Sequence, residues 1–193
     1  MKIGVLASQG AFIEHITALK KLDIDALPVR LPGELKGVDG LILPGGESTT
    51  ISKLMDAYDL MQNIAALTRD GMPLFGTCAG MIMMAKKISG NGVVSLGLMD
   101  IVVKRNAFGR QVDSFEVDVD VPALGKSPFH AVFIRAPLIE QCEHGVEILA
   151  KLKDNTIIAA RQGKMLVTAF HPELTDDLRF HRYFLDIIKG KDN

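Results

Sequence analysis

The chain has 193 residues, 48% of them hydrophobic, with a formal net charge of −1 and two cysteines. That length buries one good core and leaves little for a second, so a single domain over residues 1–193 is expected. Balanced charge argues against a nucleic-acid surface, and Cys78 and Cys142 are too few for a disulfide framework, so the chain reads as cytoplasmic with reduced thiols.

The stretch Met1-Lys2-Ile3-Gly4-Val5-Leu6-Ala7-Ser8-Gln9-Gly10 is too short and too interrupted for a signal-peptide core. It reads as a buried first strand over residues 3–7. No run approaches the length of a membrane span. Phe12, Ile16, Leu19 and Leu22 then recur at helical spacing. Asp25–Val29 and Gly40–Leu43 read as strands, and the second ends in Pro44-Gly45-Gly46-Glu47-Ser48. Helices are predicted over residues 49–58 and 60–70. Residues 73–75 form another strand, which leads into Gly76-Thr77-Cys78-Ala79-Gly80 and a helix over residues 81–88. Strands alternating with helices imply a parallel sheet covered on both faces.

The second half changes character. Residues 101–104, 114–121, 131–134, 146–152, 156–160 and 165–170 read as strands. Short polar links between several of them suggest antiparallel pairing. Glu116, Asp118 and Asp120 alternate with Phe115, Val117, Val119 and Val121, the pattern of a strand with one wet acidic face rather than a metal site. A helix over residues 175–189 closes the chain. Thr175 is its expected N-cap, Asp176 and Asp177 suit its first turn, and Lys189 suits its last. The fold class is therefore α/β: a mostly parallel central sheet flanked by helices, with antiparallel strands in the second half.

Two segments carry chemistry. The first places one thiol, Cys78, at the apex of a strand-turn-helix with glycine on either side, the arrangement of a reactive nucleophile. Gly76 and Gly80 are expected to take backbone conformations that a side chain would strain. The following helix N-terminus favours the thiolate. The second segment is Phe170-His171-Pro172-Glu173, at the end of another strand. Cys78, His171 and Glu173 supply a nucleophile, a base and a carboxylate to orient the base. Open parallel sheets bind ligands beyond the carboxyl ends of their strands. The Gly45-Gly46 turn, Cys78 and His171 all follow strands, so they are expected at one edge. Backbone N–H groups of the Gly45-Gly46 turn suit an oxyanion.

Other candidates read as ordinary. The Gly-Gly turn lacks the Gly-Lys-Ser/Thr of a phosphate loop. Cys142 and His144 have no second ligand pair for zinc. Met81, Met83 and Met84 read as helix packing. His15, His130, His144 and His181 are expected to be surface or packing histidines. Arg105 and Arg135 sit at predicted strand ends, where a solvated role is the default and a substrate carboxylate the alternative.

Several segments together resemble a known family. They are Gln9-Gly10 with Glu14-His15, Pro44-Gly45-Gly46-Glu47-Ser48-Thr49-Thr50, Gly76-Thr77-Cys78-Ala79-Gly80, Arg105-Asn106 with Gly109-Arg110-Gln111, Ser114-Phe115-Glu116, Phe133-Ile134-Arg135-Ala136-Pro137, and Phe170-His171-Pro172-Glu173-Leu174-Thr175. The chain resembles the class I, triad-type glutamine amidotransferases, and among them the glutaminase subunits of pyridoxal 5'-phosphate synthases. The resemblance implies Cys78 as nucleophile, His171 as general base and acid, and Glu173 as the residue orienting His171. It implies a glutamine site lined by Gly46, Glu47, Ser48, Arg105, Ile134 and Arg135, and an oxyanion hole from Gly45, Gly46 and Ala79. It also implies hydrolysis of L-glutamine through a glutamyl thioester, with no metal or organic cofactor in this subunit. The ammonia would pass to a barrel-type synthase partner, twelve copies of each, for vitamin B6 biosynthesis. A stand-alone cysteine amidohydrolase or peptidase, and a non-catalytic glutamine-sensing subunit, are the rival readings.

Overall fold

Apolar runs without polar alternation become strands buried along their length, because a strand covered on both faces has no wet side. In the computed structural model, which describes residues 1–90, 93–105, 107 and 114–191, this holds for β1 (Lys2–Leu6), β3 (Gly40–Leu43) and β4 (Leu74–Thr77). Half-buried β2 (Asp25–Val29) is an edge strand. Helices α1 (Phe12–Lys20), α2 (Ser48–Ala57) and α3 (Leu60–Arg69) connect them. The break between α2 and α3 is at Asp59, whose φ of 56° is left-handed.

Beyond Cys78 come α4 (Ala79–Met84), β5 (Ala85–Ser89) and β6 (Met99–Lys104). Next are β7 (Ser114–Val119), β8 (Phe129–Ile134), β9 (Leu138–Cys142), β10 (Glu147–Lys151), β11 (Ile157–Gln162) and β12 (Met165–Thr168). The chain ends in α5 (Arg179–Ile188). Among the described residues, ten strands share one sheet, ordered β2-β1-β3-β4-β12-β11-β9-β6-β5, with β10 on β11. Strands β2, β1, β3, β4 and β12 pair in parallel. The ladders β12–β11, β11–β9, β11–β10 and β9–β6 are antiparallel. A separate antiparallel ribbon pairs β7 with β8.

Three expectations change. The helix expected over residues 81–88 is only α4, because the backbone turns extended at Ala85 (φ −62°, ψ 141°) and residues 85–89 become an edge strand. Lys86 and Lys87 face solvent there, a charged edge that discourages further pairing. Strand β9 is additional; its pattern is too weakly alternating to read in isolation. The last helix starts at Arg179, not Thr175, because Pro172–Leu174 forms its own 3₁₀ turn. Thr175 Oγ1 donates to Pro172 O at 3.2 Å, and Asp177 Oδ1 accepts the Arg179 N–H at 3.0 Å. The N-cap position is Leu178, which has no side-chain cap, and Asp177 just before it takes the first helical N–H in place of Thr175.

The acidic face of β7 has a basic counterpart. His130 on β8 lies 2.8 Å from Asp118 Oδ1 and 2.9 Å from Glu116 Oε2. Behind the ribbon, Phe129, Phe133, Phe170 and Phe180 form one aromatic core, with ring centroids 4.8–5.6 Å apart.

Gly80 fixes how closely α4 approaches β3, since a Cβ there would collide with the Leu43 carbonyl oxygen. Gly80→Ala is expected to lower stability by about 1–3 kcal/mol in a denaturant titration, the usual range for overpacking. Gly33→Ala, with nothing within 4 Å of its added Cβ, is expected to stay within about 0.5 kcal/mol of wild type.

Candidate active site

Register decides what meets at the sheet edge. Thr77 pairs with Thr168 and Gly76 with Leu43, so β3, β4 and β12 end nearly level. The residues just beyond them, Gly45, Cys78 and His171, therefore share one rim. The backbone reinforces this: Cys78 N–H donates to Thr168 O at 2.8 Å, and His171 N–H to Val132 O at 2.8 Å.

Cys78 itself carries the strained backbone, with φ 49° and ψ −103°. This corrects the role expected of its flanking glycines. Neither Gly76 nor Gly80 has positive φ; both are needed for room. A Cβ on Gly76 would lie 2.6 Å from Met84 Sδ and 2.7 Å from the Gly80 carbonyl carbon. The sharp turn leaves Cys78 6% exposed, with Sγ 3.9 Å from Ile134 O.

His171 Nδ1 lies 2.7 Å from Glu173 Oε1. Burial by itself would depress His171. Hydrogen bonds with Cys78 and Glu173, and their negative charges, outweigh it and raise the pKa to about 10. His171 is thus an imidazolium at neutral pH. For Glu173, burial opposes ionisation, but cationic histidine neighbours and the His171 hydrogen bond hold its carboxyl below the usual range. His15 is one of those neighbours, yet burial pushes its own pKa down despite the attraction of Glu173. These two shifts conflict, since a neutral His15 lends Glu173 no charge. Desolvation of a wholly buried imidazole decides the matter: His15 is neutral and His171 is the cation.

The Gly45-Gly46 turn lies directly on His171, for a Cβ on Gly45 would collide with the His171 ring. Gly45 N–H donates to Thr77 Oγ1 at 3.1 Å, so of the expected oxyanion donors it is already engaged. Gly45 O accepts the Ala11 N–H at 3.0 Å, and Gln9 Oε1 accepts the Glu47 N–H at 2.7 Å. Ala79 is the first residue of α4, a position whose N–H has no intrahelical acceptor.

Glu47 is the N-cap of α2. Its carboxylate accepts from Thr49 N, Thr50 N and Thr50 Oγ1 at 2.7–3.0 Å. Arg105 approaches the same corner, with Nη2 3.8 Å from Glu47 Oε1 and 3.4 Å from Thr49 Oγ1. Ser48 is buried, while Ile134 and Arg135 are exposed at the end of β8, with Arg135 at φ 42°. Asn106, Gly109, Arg110 and Gln111 lie outside the described residues.

Sequence reasoning missed His15, Thr77 and His181. His15 and His181 are fully buried, and the chain His181–His15–Glu173–His171 runs through the base of the site. The available signal was position: His15 shares the face of Phe12 and Leu19, and His181 lies between Phe180 and Phe184. A histidine on an apolar stripe requires a buried partner.

The comparisons agree with this architecture. The model of the SNO glutamine amidotransferase family matches residues 5–189, and the chain belongs to that family. The chain is 59% identical to the pyridoxal 5'-phosphate synthase subunit PdxT of Herpetosiphon aurantiacus over 97% of its length and 100% of the relative's. It is 57% identical to the protein of the same name from Moorella thermoacetica, with the same two coverages, 97% and 100%. Among solved structures, one titled glutamine amidotransferase superposes with a TM-score of 0.92 at 50% identity, covering 97% of this chain and 98% of that one. A putative GMP synthase protein from Thermoplasma acidophilum shares the fold alone, at 19% identity and a TM-score of 0.70, over 98% of this chain and 94% of that one.

The Glu47 cap has a pH signature. The Thr50 hydroxyl bond, and then the two backbone N–H bonds, depress its pKa to about 2 against burial. A depressed carboxylate stabilises above its unfolded value, near 4.5, and loses that contribution as pH falls toward 2. Glu47→Ala is expected to cost about 1 kcal/mol at neutral pH. Thermal melts of the two proteins are expected to converge as pH drops below about 4.

Proposed function

We propose that this chain is a glutaminase, the ammonia-producing subunit of a pyridoxal 5'-phosphate synthase, with residues 1–193 as one catalytic domain in the cytoplasm. The observation that carries the reading is the convergence of Cys78, His171 and Glu173 where β4 and β12 end level. The names of its relatives support the physiological assignment. Among the described residues, no helix is long and apolar enough to cross a membrane.

Cys78 is the nucleophile, His171 the acid and base, and Glu173 the group that orients His171. His171 keeps its proton at neutral pH, and Cys78 reacts as the thiolate, the nucleophilic form of a thiol. The thiolate attacks the side-chain amide carbon of glutamine. Ala79 N–H and Gly46 N–H stabilise the oxyanion, while Gly45 supports them through its bond to Thr77. His171 gives its proton to the leaving nitrogen, ammonia departs, and a glutamyl thioester remains. Neutral His171 then takes a proton from water as it attacks the thioester. Collapse of that adduct expels the thiolate and releases glutamate, with His171 again protonated.

Arg105 and Arg135 bind the α-carboxylate of glutamine, beside Gly46, Glu47, Ser48 and Ile134. Glu47, already capping α2, presents its remaining lone pairs to the α-ammonium. The partner is a barrel-type synthase, twelve copies of each, which consumes the ammonia. Partner binding would turn the Gly45-Gly46 peptide, whose carbonyl is tied to Ala11 in the isolated chain. A missing oxyanion donor costs about two to three orders of magnitude in rate, enough for that one peptide to control turnover.

Cys78→Ala is expected to fold normally and release no ammonia from glutamine. An electrophilic glutamine analogue is expected to label Cys78; labelling of Cys142 instead would overturn the assignment. His171→Asn is expected to lose about 10⁶-fold in kcat and Glu173→Gln about 10⁴-fold, because one moves protons and the other orients. The reverse order would reverse their roles.

Glutamate release is expected to rise at least tenfold when the synthase is added, well inside the range of one oxyanion donor. Equal rates with and without it would favour a stand-alone amidohydrolase.

A further inference from the structure

His15 lies below the site on α1 and takes no part in the chemistry above. Its ring is wholly buried, and both nitrogens have close neighbours. Nδ1 is 3.0 Å from His181 Nε2. Nε2 is 3.1 Å from Thr77 Oγ1 and 3.3 Å from Glu173 Oε2. Glu173 Oε2 is buried and, among the described residues, has no well-aligned donor. A buried carboxylate oxygen needs one.

We propose that His15 is a positioning residue for this site: its neutral ring carries one proton on Nε2, shared between Thr77 Oγ1 and Glu173 Oε2, and His181 fixes that tautomer by donating Nε2–H to His15 Nδ1. The proposal rests on the glutaminase reading and deepens it.

Hydrogen-bond accounting selects this direction. An ionised carboxylate only accepts, so with Nε2 unprotonated, Oε2 would face no proton at all from the ring 3.3 Å away. The opposite tautomer would also have His15 donate to His181 Nε2. His181 Nδ1 would then carry the proton, yet it is buried without a partner. An orphaned buried N–H is rarer and costlier than an under-satisfied acceptor. In the assigned direction the unpartnered Nδ1 is only an acceptor. A charged His15 is disfavoured on the same grounds, since it would require a cation in an apolar layer where Phe75 packs edge-on against both rings.

The geometry explains what His15 does. Glu173 uses Oε1 for His171, and without a contact on Oε2 the carboxylate is free to rotate about its last bond. The His15 Nε2–H, aligned on Thr77 Oγ1 and 3.3 Å from Oε2, restrains it from the far side. The same Nε2 reaches Thr77, whose hydroxyl accepts the Gly45 N–H, so one imidazole braces both the carboxylate and the Gly-Gly turn.

Two measurements test this. In ¹⁵N-histidine spectra of the wild-type protein, His15 is expected as a neutral ring protonated on Nε2. A ring protonated on Nδ1, or on both nitrogens, would overturn the proposal without any variant. In steady-state assays with the synthase present, His15→Leu is expected to lower kcat by about 10–100-fold, the usual cost of removing an orienting partner, with KM little changed. His15→Gln places an amide N–H near the Nε2 position and is expected to recover most of that loss. A Leu variant within twofold of wild type, or equal loss in both variants, would overturn the role. If the Leu variant fails to fold, the spectra decide. A wild-type chain that releases no ammonia, even with the synthase, would sink the underlying glutaminase reading; an active Leu variant would sink only this proposal.

Discussion

The parallel pairing of β12 with β4 is the constraint on which the site depends. β12 enters the sheet from a run of antiparallel strands, yet it lies parallel to β4 with Thr168 opposite Thr77. A one-residue slip would turn every side chain of β12 to the other face. It would also move His171 relative to Cys78. Buried Leu166 and Val167 on one strand and Phe75 on the other hold the register. The Cys78 N–H bond to Thr168 O extends the ladder one step beyond the paired residues.

Placing charge at this rim poses a second problem, because the surroundings are apolar. A lone buried carboxylate is costly, and breaking a buried pair by removing one partner typically costs about 3–5 kcal/mol. Glu173 has His171 on one oxygen and His15 near the other, and His15 has His181 behind it. Only His171 reaches the surface side of this stack. The proton needed for chemistry is thereby kept on the ring beside Cys78, while burial keeps the deeper rings neutral.

Close packing supplies the third element. Gly80 admits the Leu43 carbonyl, Gly76 admits Met84, and Gly45 admits the His171 ring. Strain is concentrated instead at Cys78, the one residue of the turn whose side chain must project from its apex. This matches the logic of a nucleophile elbow, where the surrounding fold over-determines an unfavourable backbone.

Local patterns in the sequence determined the first half of the sheet, helices α1 to α3, and the placement of Gly45, Cys78 and His171 after strand ends. Those features depend on near-neighbour periodicity and on turn chemistry, which a single chain displays directly. The end of α4, edge strand β5, strand β9 and the late start of α5 were decided by tertiary partners. Residues 85–89 have helix-compatible composition, but pairing with β6 makes them a strand. Thr175 has the right side chain for a cap, but its hydroxyl donates to Pro172 O and accepts the Asp177 N–H, short of the start of α5. The same distinction divides the site. The nucleophile and the His-Pro-Glu segment announce themselves by local context. His15 and His181 do not, because their meaning lies in a meeting of α1, β4 and α5 across the core, and a histidine on an apolar stripe says only that a partner must exist. The room that Gly76 and Gly80 provide is likewise a property of the neighbours, Met84 and Leu43, which only the folded chain brings against them.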